Sequence, residues 1–117
     1  MAASKLNLPI VEKGATYRHT LYWKDSSNLP INLTGCTARL QVRDSVDSED
    51  VTVELNTENS RIIIDELLGK IDLYISDEDT TNLNGFGGVY DMEVYFLNGD
   101  TIRLIEGRMS FKPEVTR

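Results

Sequence analysis

The sequence predicts an all-β fold, an antiparallel β-sandwich of seven or eight short strands in a single domain spanning residues 1–117. Apolar and polar residues alternate with a period of two in one stretch after another, as in strands buried on one face. No long run carries the period of an amphipathic helix. Gly, Asn, Asp and Pro punctuate the alternating stretches at short intervals. At 117 residues the chain can bury one core of useful size, and dividing it would leave each half too little.

Taken in order, residues 1–5 are small and polar and are expected to be flexible. Leu6, Leu8 and Ile10 alternate with Asn7 and Pro9, and because proline lacks the ladder donor this is an edge strand at best. After Gly14, residues 16–24 set Tyr17, His19, Leu21 and Trp23 against Arg18, Thr20 and Tyr22. The β-branched and aromatic content predicts a strand, while large groups on both faces leave its inward side open. Residues 25–35 carry turn signals around the anchors Ile31 and Leu33. Residues 37–43 alternate without exception, with Ala38, Leu40 and Val42 as the core face. Residues 44–50 read as a solvated acidic loop. Alternation resumes at Val51, Val53 and Leu55, then at Ile62, Ile63 and Ile64, then at Ile71, Leu73 and Ile75. Residues 77–84 have N-cap and early acidic residues, which predict a single helical or 3₁₀ turn with Leu83 plugging one end of the sandwich.

The chain is organised around a long hairpin over residues 87–111. Its first arm places Tyr90, Met92, Val94 and Phe96 on one face and Asp91, Glu93, Tyr95 and Leu97 on the other. Asn98-Gly99 tolerates positive φ at both central turn positions and marks the reversal. In the second arm Ile102 and Leu104 share one parity, and Ile105, Gly107, Met109 and Phe111 the other, so a β-bulge is expected near Glu106-Gly107. An immunoglobulin-like sandwich is the preferred arrangement, and a small closed barrel is the alternative that strand count alone leaves open.

Twelve basic against nineteen acidic residues give a net charge of −7, which argues against nucleic acid and anionic membrane as partners. Cys36 is the only cysteine, so no intrachain disulfide framework exists. No apolar run has the length of a signal peptide or a membrane span, and synthesis in a cytoplasm is expected.

Chemistry is sparse. His19 is the only imidazole, and as a base for Cys36 or a serine it sits mid-strand among aromatics, where a packing role explains it. Asp44, Asp47, Glu49 and Asp50, or Asp77, Glu78 and Asp79, supply oxygen ligands without the EF-hand spacing, and the His and Cys clusters of a zinc site are missing, so neither metal nor cofactor is expected. The glycines of residues 84–88 lack the Lys-Ser/Thr of a phosphate loop and read as a turn. Arg39 and Arg43 form a basic stripe, to meet an acidic patch on another copy or to balance acids on neighbouring strands. Trp23, Tyr17, Tyr22 and Tyr95 are the candidates for a carbohydrate platform.

Four segments occur in a characteristic order: Val11-Glu12-Lys13-Gly14-Ala15-Thr16; Leu33-Thr34-Gly35-Cys36-Thr37-Ala38 leading to Gln41-Val42-Arg43; Val89-Tyr90-Asp91-Met92-Glu93; and Glu114-Val115-Thr116-Arg117. Together they resemble the small structural proteins of tailed bacteriophage virions, with patterns K-G-A-T, L-T-G-x-T-A-x-x-Q-V-R, Y-D-x-E and V-T-R, over residues 11–117. The layout is also similar to the immunoglobulin-like N-terminal domain of phage baseplate upper proteins. The resemblance implies an immunoglobulin-like sandwich without enzymatic activity, made in the host cytoplasm and built into the virion as an assembly or adaptor subunit of the tail, baseplate or neck. Its partners are then other virion proteins and copies of itself, with no nucleic acid, membrane or small-molecule substrate. A carbohydrate-binding or host-recognition module on the virion surface is the alternative. Long β arms and extended ends pair readily with other chains, so the expected assembly contacts are Asn98 and Gly99 at the hairpin tip and Glu114, Val115, Thr116 and Arg117 in an extended tail over residues 113–117.

Overall fold

The computed structural model describes residues 3–116 of the chain, and Met1, Ala2 and Arg117 lie outside that span. The elements are β1 (Ser4–Lys5), β2 (Val11–Glu12), β3 (Tyr17–Tyr22), β4 (Thr37–Arg43), β5 (Val53–Asn56), β6 (Ile62–Asp65), β7 (Lys70–Ile75), α1 (Asp77–Thr81), β8 (Gly87–Tyr95) and β9 (Thr101–Lys112). They form two sheets, one ordered β1-β9-β8-β4-β5 with β2 also on β9, the other ordered β3-β7-β6. Two open sheets sharing one core make a sandwich, which removes the closed barrel.

The alternation explains the core. Ala38, Leu40, Val42, Met92 and Val94 of the larger sheet are buried against Ile62, Ile71, Leu73 and Ile75 of the smaller one. Each aliphatic side chain so buried contributes about 1.5–3 kcal/mol. In β3 the inward face is that of Tyr17, His19 and Leu21, which resolves the ambiguity left by large groups on both sides. Trp23 follows on the same parity and packs edge-to-face on Phe96, with ring centroids 6.0 Å apart. Ser76 caps α1 by accepting the Asp79 N–H at 3.2 Å, and Leu83 is buried behind the helix.

Four expectations need correction. The strands number nine among the described residues rather than seven or eight, because the N-terminal stretch contributes two short ones. Within residues 1–5, expected to be flexible, Ser4 and Lys5 pair in parallel with Ile105 and Glu106. Backbone bonds from Leu6 to Glu106 and from Leu8 to Arg108 continue the attachment past the two-residue strand, so hydrogen bonding to β9 orders a segment that has little core of its own.

The bulge lies at Leu104, not at Glu106-Gly107: Glu93 faces Arg103 while Met92 faces Ile105, so Leu104 is the extra residue. Gly107 answers a different need. The Leu6 carbonyl occupies the space a Cβ there would fill, and the hydroxyl of Tyr90, opposite Gly107, donates to that carbonyl at 2.5 Å. The hairpin reversal differs as well. Gly99 N–H donates to Phe96 C=O at 3.0 Å and Phe96 N–H to Asp100 C=O at 2.9 Å, and Gly99 has φ +96° while Asn98 keeps negative φ. This is a turn centred on Leu97-Asn98 and closed by a left-handed glycine, which reverses the chain with one positive φ instead of two.

Candidate functional site

The registers place Tyr22 beside Lys70 and Thr37 beside Tyr95, so the connections 23–36, 66–69 and 96–100 gather at one pole of a molecule 45 Å long. Backbone and side-chain bonds tie them together. Leu33 N–H donates to Glu66 C=O at 2.9 Å, Gly35 N–H donates to the Glu66 carboxylate at 2.5 Å, and Trp23 N–H donates to Gly69 C=O at 2.8 Å. On this fixed base Tyr22, Leu29, Leu67, Leu68 and Leu97 are exposed, Leu97 to 80%. Asn98 and Gly99 sit among them, with Asn98 Oδ1 accepting the Asp100 N–H at 2.9 Å. Sequence patterning passed over these leucines because it searches strands. The available signal was apolar residues inside turn segments, above all Leu67-Leu68 before Gly69.

Glu114, Val115 and Thr116 lie at the opposite pole, beyond the end of β9, and Arg117 lies outside the described residues. The expected contacts therefore form two separate surfaces. The Glu114 side chain rests over Gly14, so the first and last of the four sequence motifs touch. Behind them Thr80, fully buried, accepts the Gly14 N–H at 3.1 Å and donates to Ala15 C=O at 2.9 Å. The middle motifs also meet, Gln41 opposite Asp91 and Val42 opposite Tyr90. Val115 is 92% exposed, and Ile10, Val46 and Phe86 are exposed at the same pole.

Both arginines of the basic stripe find partners close by, in the sheet and in the loop after β4. Arg39 reaches Glu54 at 3.8 Å, and Arg43 donates to the carbonyls of Ser48 at 2.7 Å and Glu49 at 2.9 Å and to Gln41 at 3.0 Å. The Gln41 amide bonds Glu54 at 2.6 Å and is the main cause that holds that carboxyl below its ordinary range. Arg61 pairs with Asp79 at 2.8 Å and holds that carboxyl below its ordinary pKa in the same way. A groove of about 780 Å³ on this outer face is lined by Lys5, Gln41, Arg43, Asp91, Arg103 and Arg108.

His19 lies opposite Leu73 in mid-sheet, whereas Cys36 sits at the turn into β4, its thiol pushed up by burial and then by Glu66. Among the described residues no group of three or more His, Cys, Asp or Glu is placed to hold a metal ion, and no helix is long and apolar enough to cross a membrane. The four aromatics do not share a platform: Tyr17 is buried, Trp23 is covered by Phe96, Tyr22 is exposed and Tyr95 lies on the larger sheet.

The two sheet edges differ. The outward Glu54 carbonyl of β5 accepts from Asn59 at 3.1 Å and Arg61 at 2.9 Å, and the Asn56 N–H donates to Asn59 at 3.0 Å. On the other sheet β3 pairs only with β7.

Strands β3-β7-β6 facing β9-β8-β4, with β5 extending the larger sheet, define an immunoglobulin-like domain of variable-type layout, here without an inter-sheet disulfide. Solved structures with a similar fold include "Tim-1", 11% identical with TM-score 0.44, covering 100% of this chain and 98% of that one. Two others are the first immunoglobulin-like domain of human CD48 antigen, 18% identical with TM-score 0.38 over 98% and 86% of the two chains, and Drosophila OTK extracellular domains 3–5, 14% identical with TM-score 0.39 over 95% and 33%. The chain spans about a third of that OTK structure. No protein-family model and no curated protein matches the sequence.

Proposed function

We propose that the protein is a non-enzymatic structural subunit of a tailed-bacteriophage virion, an assembly or adaptor piece of the tail, baseplate or neck. The phage assignment rests on the four sequence motifs and their order. The observation that carries the assembly role is the exposure of Leu97 and Val115, 80% and 92%, each beside one of the two expected contact sites. Large apolar side chains held in water at both ends of a small domain favour burial against other subunits. Its partners are other virion proteins and further copies of the chain. Host recognition through sugar loses its main support, because the candidate aromatics are dispersed.

The test is cryo-electron microscopy of particles made with the full chain and with residues 114–117 deleted. The full chain is expected at defined symmetric positions, and the truncated chain folds but is depleted from the particle. Absence of the full chain from purified particles, or normal copy number of the truncated chain, overturns the assembly role of the tail pole.

A further inference from the structure

We propose that the open edge of β3 is the seat for the tail of a second copy, whose residues 112–116 add to it as a parallel strand; this names the receiving site for the assembly role above and rests on that reading. The edge follows from register. Trp23 N–H donates to Gly69 C=O, and on the far side of β7 Tyr74 N–H donates to Arg61 C=O, both at 2.8 Å. With Tyr17 opposite Ile75 and Tyr22 opposite Lys70, alternation turns the N–H and C=O groups of Tyr17, His19 and Leu21 towards β7 and those of Arg18, Thr20 and Tyr22 away from it. Among the described residues no strand lies on that side, since the N-terminal stretch pairs with β9 instead. Alongside, a cleft of about 470 Å³ opens between the sheets, lined by Leu6, Leu21, Tyr22, Trp23, Leu104 and Ile105. A six-residue edge above an apolar cleft accepts an extended segment with apolar side chains at alternate positions.

The tail has that pattern. Pro113 and Val115 share one parity, Glu114 and Thr116 the other. Val115 is the most exposed large apolar side chain among the described residues, at 92%. With Glu114 opposite Arg18 and Thr116 opposite Thr20, the outer face gains an opposite-charge pair and a Thr–Thr pair, both favourable across strands. The Arg18 guanidinium already stands on that face, 4.7 Å over the Tyr74 ring. Pro113 and Val115 then turn to the face of Tyr17, His19 and Leu21, with Val115 opposite His19 and next to the edge of the cleft at Leu21. In this register Arg18 N–H donates to Pro113 C=O, Val115 N–H donates to Arg18 C=O, and Thr20 N–H donates to Val115 C=O. The donor that proline lacks is not called on. Glu114 exchanges its place over Gly14 for Arg18. Tail and edge are different surfaces, so the contact is head-to-tail and repeats into a ring or a filament.

The experiment is covalent trapping in the full chain with Cys36→Ser. Thr20→Cys and Thr116→Cys are introduced together, the protein is mildly oxidised, and multimers are read on a non-reducing gel beside sedimentation velocity. A ladder of linked multimers is expected, with none when Val115→Cys replaces Thr116→Cys, because that side chain faces the other way. Thr20→Pro removes the outward donor and also the hydroxyl bonded to Asp72 at 2.6 Å, so it is compared with Thr20→Ala, which loses the hydroxyl alone, and against that variant is expected to weaken self-association about tenfold. Association that depends on residues 114–117 but yields no ladder overturns this seat and leaves the assembly role standing. A chain that stays monomeric and yields no ladder also overturns it, while the role in the particle is decided separately by incorporation.

Discussion

The edges of β5 and β3 present the same problem and receive opposite treatment. β5 is four residues long, and the turn after it returns Asn59 and Arg61 to occupy its outward carbonyl and N–H. β3 is six residues long, and among the described residues the outward groups of Arg18, Thr20 and Tyr22 meet nothing comparable. Edge strands invite pairing with other chains, and natural sheets blunt the ones that must stay single. Protection on one side shows that this sequence has the means, so the longer bare edge is the one available for partners.

The largest expected effect fixes the scale for both edges. Leu40 and Val94 are fully buried on the central strands, and replacing either with Ala should cost about 2–4 kcal/mol, read as a lower denaturant midpoint. An unchanged midpoint would mean the sandwich is not held by this face. Next, Arg61→Ala together with Asn59→Ala strips both side-chain donors from the Glu54 carbonyl and the acceptor from the Asn56 N–H, and should lower the midpoint of thermal or chemical melts by less than Leu40→Ala does. Self-association in sedimentation should rise at the same time, as β5 becomes a second open edge. Lower stability without added association would assign the protection of β5 to its shortness.

The smallest effect concerns Tyr17, the first residue of β3. Its hydroxyl is buried without a hydrogen-bond partner, so Tyr17→Phe should be neutral or stabilising by about 1 kcal/mol, whereas Tyr90→Phe loses the bond to Leu6 and should cost about as much. Burial pushes the Tyr17 pKa up to about 12 from an ordinary value of 10.0. The folded state thus favours the neutral phenol, and the stability it contributes is whole below pH about 10 and lost as pH rises towards about 12. Melting temperature should fall across that window and fall less in Tyr17→Phe; parallel curves would place the alkaline transition elsewhere.

How far the sequence reveals these features depends on whether a local pattern sets them. β4 is legible to the residue, because one face meets the core and the other meets water across all of Thr37–Arg43. The bulge was visible as a parity change between Leu104 and Ile105, but glycine drew attention to Gly107, which is small for the sake of a distant carbonyl. The attachment of the first residues to β9 was illegible, since it consists of backbone bonds on both sides of Pro9 and carries little side-chain pattern. Of the expected contacts, the tip was readable as a turn. The leucines around the tip were not, because exposure is a property of the assembled pole.

That attachment also determines how the domain answers force. β1 and β2 run parallel to β9, and bonds from Leu6 to Glu106, Leu8 to Arg108 and Lys13 to Lys112 are distributed along the seam. Tension drawn between the two flanks of the domain pulls these neighbours in opposite directions along their common axis. The bonds then resist shear together instead of opening one after another, and the Tyr90 hydroxyl pins the seam at Leu6. A domain so wired transmits load through these strands while the core beneath stays closed.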